Sequence, residues 1–369
     1  MIGNLQVLRA FAALAVVLYH TSYPLINGRP SDFQGVAIFF VISGFIMSYV
    51  VLKDDKQSKA DKFLLHRFVR LVPFYWLCVV AFIYLSNLGL LNLSQTLPRL
   101  GALLANDWLG ALRWVASGFN LTSHYSIQEI VKTLFFIPYK DVNGDYHPIL
   151  GVGWTLNLEV YFFIIFALTL LGKKAYAPTI TAVIITIFWM VGFLTNGLGI
   201  GYLEFYSSGY IPYFSAGIAT YYAWRKLKDV APKKILQVLS LLLISLYIAA
   251  QAGVPYIYPF APFALVLGVL LLHSVGKRIE HPLLLLIGSA SYALYLIHTI
   301  ILEMARTLQN ELPSLRYNTN IMAAIFAVAV CSIVSTIIHL GLEKPIVKSF
   351  RTHVFPMLDR IQLQQSSKQ

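Results

Sequence analysis

Four ionisable side chains lie inside long apolar stretches of this sequence: Arg9, His20, Glu159 and His298. A charge at the centre of a membrane span costs about 3 kcal/mol even on insertion scales, so each of the four marks chemistry by default. Arg9 and His20 are eleven residues apart. On one helix that is about 16 Å and close to three turns, so the two share a face. A histidine with a carboxylate partner is a general-base arrangement that works near neutral pH. His20, Glu159 and His298 supply the types for it. The plainer roles are an interfacial arginine whose head reaches the surface, a histidine bonded to backbone, a polar lock and a packing histidine. Two histidines and a glutamate also raise zinc, but there is no HExxH-like ligand pair, so no metal is expected.

Arg67 and Arg70 form a second constellation. Three residues apart on a helix, they face one side. Two guanidinium groups there suit phosphate, which they bind through paired hydrogen bonds. His66 and Lys62 extend the basic surface. The plainer role is topological anchoring by positive charge.

The elements that must hold these residues are membrane helices. The 369 residues are 58% hydrophobic and 12% charged, with a mean hydropathy of +0.69. Soluble domains carry about 25% charged residues, so an all-α integral membrane protein is expected. A span needs about 20 apolar residues. Ten segments qualify: 5–23, 35–52, 69–87, 152–171, 177–194, 207–224, 235–252, 259–275, 284–304 and 320–341. With the N-terminus placed inside, twenty of the 28 Lys and Arg residues fall on the inner side and seven on the outer. The excess puts both termini in the cytoplasm. By the same count Glu159 and His298 lie in the outer halves of their spans, at the depth of His20.

The net charge of +12 does not indicate nucleic acid, because the basic residues sit in short clusters between spans. Cys78 and Cys331 lie in apolar stretches and give neither a disulfide framework nor metal-ligand spacing. The N-terminal apolar stretch lacks a basic leader and a small-residue cleavage site, so it reads as a retained span. The long connection 88–151 contains a weakly amphipathic stretch, Leu97–Ser117, with Trp108 and Trp114, suited to the outer interface or to re-entrant segments. Two domains are expected, a membrane domain over 1–345 and a short basic cytoplasmic tail over 346–369.

Taken in order, these motifs resemble the acyltransferase-3 family of membrane acyltransferases. The resemblance rests on Arg9 and His20, on Phe39-Phe40-Val41-Ile42-Ser43-Gly44-Phe45, and on Arg67 and Arg70 followed by Pro73 and Tyr75-Trp76. It continues with Trp154-Thr155-Leu156 and Glu159, Ser291-Tyr292 with Tyr295-Leu296 and His298, and Glu343-Lys344-Pro345. Within the family, the run Pro148 to Asn157 and the opening Asn4 to Ala10 are similar to exopolysaccharide acetyltransferases of the succinoglycan type. The chain departs from many members at Phe162-Phe163, where Phe-Tyr is usual, and at Val152, where a histidine is common. Without a secreted esterase-like domain after the last span, it reads as the membrane module alone.

The resemblance implies a multi-pass protein of the bacterial cytoplasmic (inner) membrane and an O-acetylation reaction of polysaccharide biosynthesis. The donor would be acetyl-CoA from the cytoplasm. The acceptor would be a hydroxyl of a cell-surface polysaccharide or its lipid-linked precursor. On that basis Arg9, Arg67 and Arg70 are expected to hold the donor, with His20 as the base oriented by Glu159. Trp154, Asn157, Tyr295 and His298 are expected at the substrate. Trp154, Ser43, Asn157 and Tyr295 are candidate donors to the developing oxyanion. Direct transfer and a route through an acetylated His20 are both open. Three alternatives remain: a secondary transporter or flippase, a non-catalytic membrane subunit, and the same enzyme class using succinyl-CoA. Lipids are the other expected partner.

Overall fold

The computed structural model describes residues 2–25, 30–53, 59–195, 201–309 and 312–353, together with Pro356. Arg29, Lys56, Arg360 and Lys368, which entered the charge count, lie outside the described residues, as does the tail from 357 onward.

Among the described residues all regular structure is helical. This follows from the solvent: a segment in hydrocarbon must satisfy every backbone N–H and C=O within itself, and the helix does so. The α-helices run α1 (Gly3–His20), α2 (Gly35–Lys53), α3 (Ala60–Asn87), α4 (Leu93–Asn106), α5 (Trp108–Ser117), α6 (Ile127–Leu134), α7 (Trp154–Thr169) and α8 (Ala177–Leu194). They continue with α9 (Gly201–Tyr206), α10 (Pro212–Val230), α11 (Lys233–Gln251), α12 (Ala261–Ser274), α13 (Pro282–Ser289), α14 (Ser291–Leu308) and α15 (Ile321–Ile338). A π-helical turn, His339–Glu343, closes α15, with His339 Nδ1 2.7 Å from Glu343 Oε2.

Each of the ten expected segments falls on helix, with informative differences at the ends. The third helix starts at Ala60 rather than 69, so Arg67 and Arg70 lie two to three turns inside it. The sixth segment starts at Pro212, because proline lacks the donor that a first helical position leaves unpaired anyway. The ninth is two helices, α13 and α14, meeting at Ala290 with a 73° bend. Among the described residues, seven helices are long and apolar enough to cross a membrane, or eight with the bent pair counted as one. The protein is therefore multi-pass.

Helix α1 is not among the seven, and its place in the bundle explains why. It is the hub, packing against α2, α12, α13, α14 and α15. Its polar residues Asn4 and Arg9 are buried in protein rather than lipid. Asn4 bonds the chain after α12, through Nδ2 to Lys277 O (2.9 Å) and Oδ1 from Ile279 N (3.0 Å). Helix α2 is 67% buried, whereas α8, α11 and α15 bury less than a third of their span and form the rim. Helices α2 and α10 cross in backbone contact. A Cβ on Gly44 would sit 2.2 Å from Phe214 O, and one on Gly217 2.2 Å from Val41 O. Small residues at such a crossing are how membrane helices approach closely.

In the long connection the amphipathic stretch is two helices, α4 and α5. They break at Asp107, whose carboxylate accepts from Gly110 N (2.8 Å) and caps α5. Trp108, Leu109 and Leu112 on this pair are exposed on the protein surface.

Candidate active site

Arg9 and His20 line two adjoining cavities. The first encloses about 100 Å³ among α1, α2, α3, α7 and α14, and is lined by Arg9, Ser43, Arg67, Arg70, Glu159 and Ser291, with Phe39, Phe40, Ile46 and Met47 as apolar wall. The second, about 670 Å³, lies at the C-terminal end of α1 and is lined by Tyr19, His20, Asp32, His147, Trp154, Tyr210 and Thr299. Val36 and Tyr295 line both.

The arginine cavity is cationic by construction. Arg67 and Arg70 arrive one turn apart on α3. Arg9 arrives from α1, its Nη2 donating to Ser291 Oγ at 2.9 Å. Arg9 and Arg67 are buried. The Arg67 guanidinium lies over the Phe63 ring at 5.6 Å, and its Nε has no hydrogen-bond partner among the described residues. Buried donors are rarely left unpaired, and a guanidinium aimed into a cavity suits an anion. Three cations face one carboxylate, Glu159, whose Oε1 accepts from Ser43 Oγ at 2.8 Å.

In the histidine cavity the hydrogen bonds fix the tautomers of the neutral rings. A backbone carbonyl only accepts, so an imidazole nitrogen bonded to one carries the proton. His298 Nδ1 is 3.0 Å from Leu294 O, and His20 Nδ1 is 2.9 Å from Val16 O. His298 Nε2 then presents a lone pair, 3.3 Å from the protonated His20 Nδ1. His20 Nε2 keeps its own lone pair on a ring that lines the cavity. The arrangement is a base supported from behind by a second, fully buried histidine.

Asp32 is the carboxylate of this cavity. It precedes α2 in a turn where Phe33 (φ 47°) and Gln34 (φ 55°) are both left-handed, which costs non-glycine residues about 1 kcal/mol or more each. The surroundings hold the turn. Tyr247 OH donates to Phe33 O (2.7 Å), Gln34 Nε2 to Tyr258 O (2.9 Å) and Gln251 Nε2 to Gln34 Oε1 (2.9 Å). Burial lifts the Asp32 carboxyl above its ordinary range, while the Gln34 N–H at 2.9 Å draws it back.

The expected residues therefore separate. Arg9, Arg67 and Arg70 come together as expected, and His20 and Trp154 share the second cavity. Glu159 does not join His20. Its Oε1 accepts from Ser43 Oγ, eight residues or about 12 Å along α2 from Gly35, so it lies at the level of the arginines and away from the end of α1 that carries His20. His298 lines neither of these two cavities; it backs His20. Asn157 is buried, lines neither cavity, and leaves its Oδ1 without a hydrogen-bond partner. Tyr295 sits between the cavities. Sequence reasoning missed Asp32, His147, Tyr210 and Ser291. Asp32 had a signal, as an acidic residue one turn before an apolar helix. Tyr210, its ring 5.2 Å from Trp154, had none among 22 tyrosines. Among the described residues no group of three or more His, Cys, Asp or Glu could hold a metal ion.

The family model of the acyltransferase domain Acyl_transf_3 matches residues 2–340. The chain is 33% identical over 134 residues to the exopolysaccharide production protein ExoZ of Rhizobium meliloti, covering 36% of this chain and 32% of that one. It is 24% identical over 377 residues to the peptidoglycan O-acetyltransferase OatA of Listeria monocytogenes, covering 94% of this chain and 56% of that one. The chain spans about half the length of the curated relatives that it matches over most of its own length. No solved structure matches it.

Proposed function

The chain belongs to the acyltransferase-3 family, and on that premise we propose that it moves an acetyl group from acetyl-CoA to a hydroxyl of a cell-surface polysaccharide or its lipid-linked precursor. The observation that carries the proposal is the pair of adjoining cavities, one built for a polyanion and one holding a base. The phosphates of the donor bind Arg67, Arg70 and Arg9, and the pantetheine arm runs along α2 past Phe39 and Phe40. The span between Arg9 and His20, about 16 Å, is what that arm must cover. The sugar enters the wider cavity, where Trp154 and Tyr210 present aromatic faces.

His20 Nε2 takes the proton of the acceptor hydroxyl. The hydroxyl oxygen attacks the thioester carbonyl, the C–O bond forms, the C–S bond breaks, and the proton passes to the departing thiolate. His298 holds the His20 ring and its tautomer, and the Asp32 carboxylate stabilises the transient imidazolium. Glu159 balances charge among the arginines rather than orienting the base. We place the chain in a bacterial cytoplasmic membrane with ten spans and both termini inside, following the charge asymmetry of its connections. ExoZ and OatA bear names from polysaccharide and cell-wall chemistry, which favours a carbohydrate acceptor.

The test incubates purified wild type and His20→Ala with radiolabelled acetyl-CoA and a cell-surface polysaccharide as acceptor, following free CoA and label on protein. Release by wild type but not by the variant is the expected result, and label retained on wild type would select the acetyl-enzyme route. No release together with no measurable CoA binding would overturn the proposal.

A further inference from the structure

The two cavities meet only at Val36 and Tyr295 among their described lining residues, and both side chains are buried. Tyr295 is held in place at both ends. Thr155 Oγ1 donates to Val152 O at 3.0 Å, so its lone pair accepts the Tyr295 hydroxyl proton at 2.8 Å, with Val152 O itself 3.4 Å from that hydroxyl. The relay ties α14 to the start of α7. The ring meets Phe39 of α2 edge-on, with centroids 6.1 Å apart. A phenol pinned this way across three helices is a wall, and it stands where the large cavity adjoins the narrow one.

We propose that Tyr295, latched by Thr155 and backed by Val36, is the residue that decides between the sugar hydroxyl and water as acceptor. The inference rests on assigning the arginine cavity to acyl-CoA and the His20 cavity to the acceptor. Any base that activates a sugar hydroxyl also activates water, and the competing step is balanced and irreversible in practice: water adds to the thioester carbonyl, and acetate, CoA thiol and a proton leave. Chemistry alone does not prevent it, because water is present at far higher concentration than any glycan. Exclusion of water from the reacting carbonyl does. The latch keeps the thioester on the arginine side until an acceptor fills the outer cavity and displaces the ring. Tyr295 is thus a positioning and specificity residue, not a proton carrier.

The experiment measures CoA thiol release from acetyl-CoA with no acceptor present, together with CoA affinity, for wild type, Tyr295→Ala, Tyr295→Phe and Thr155→Val. The expected result is hydrolysis raised about tenfold in Tyr295→Ala and severalfold in Tyr295→Phe and Thr155→Val, with CoA affinity unchanged. Wild-type hydrolysis in all three variants overturns the proposal, and if Tyr295→Ala fails to fold the other two decide it. A second readout needs no acyl chemistry. In a Cys78→Ser, Cys331→Ser background, Ser43→Cys reports the arginine cavity and His20→Cys the outer one. A membrane-impermeant maleimide that reaches His20→Cys should leave Ser43→Cys unlabelled from the same side, and should label it once Tyr295→Ala is added. Equal labelling of Ser43→Cys with Tyr295 present overturns the wall. Intact labelling behaviour without any thioester turnover would instead fault the assigned reaction and leave the wall standing.

Discussion

The two cavities differ in what builds them. The arginine cavity is made of residues from helix interiors, Arg9 of α1, Ser43 of α2, Arg67 and Arg70 of α3 and Glu159 of α7. It is narrow, with Arg9 bonded to Ser291 and Glu159 to Ser43, while Arg67 Nε has no hydrogen-bond partner among the described residues. The histidine cavity is made of helix ends and connections: His20 is the last residue of α1, Asp32 precedes α2, His147 to Gly151 precede α7, and Tyr210 precedes α10. It is several times larger. The difference fits the division of labour proposed above. A fixed polyanionic handle is served by side chains whose register is locked within helices, whereas a varied acceptor is served by loops positioned on a rigid scaffold.

The contrast can be broken or sharpened by substitution. The largest effect is expected at His20. His20→Ala should lower kcat by about 10³-fold, within the range for loss of a general base, while CoA affinity stays near wild type in equilibrium binding. A comparable loss of CoA affinity would erase the distinction between the cavities. Next is the converse. Arg67→Ala with Arg70→Ala should weaken CoA binding by roughly 10²-fold or more, as loss of two charge-assisted contacts predicts, with a smaller change in acceptor KM. Unchanged CoA affinity would return both arginines to topology anchors.

His298→Ala should cost about tenfold to a hundredfold in kcat, since a group that orients the base contributes less than the base itself. His298→Asn, which can still accept from His20 Nδ1–H, should recover part of it. If His298→Asn and His298→Ala are equally impaired, the histidine is packing rather than support. Asp32→Asn and Glu159→Gln form a matched pair. The first should lower kcat severalfold, and the second should act chiefly on CoA affinity; the reverse pattern would restore Glu159 as the partner of His20. The smallest effect is expected at Asn157. Asn157→Ala should change kcat and KM by less than about threefold and be visible mainly in thermal stability, where a buried polar group with an unpaired oxygen adds little.

Much of this protein was legible along the chain because membrane helices are local objects. A run of about 20 apolar residues must be helical in lipid, so all ten segments fell on helix. Facts confined to one helix were legible as well. Arg67 and Arg70 share a face because they are three apart, and Arg9 and His20 are separated by a length fixed by helical rise. The acyltransferase assignment was available for the same reason, since its motifs sit at fixed places along the sequence.

Relations between helices required the tertiary structure. Depth counting put Glu159, His20 and His298 at one level, but hydropathy fixes neither how deep α7 sits against its neighbours nor how it is rotated about its own axis, and both decide which side chains meet. Packing turned Glu159 toward Ser43 and the arginines. Burial behind α1 set His298 against His20. The 73° bend at Ala290 and the left-handed turn at Phe33–Gln34, held by Tyr247 and Gln251 from α11, placed Ser291 and Asp32 where no periodicity predicts them. Hydrophobicity and helical rise act along one chain segment; the choice of partner for a buried polar group is made by whichever neighbouring helix can satisfy it, and that is a property of the assembled bundle.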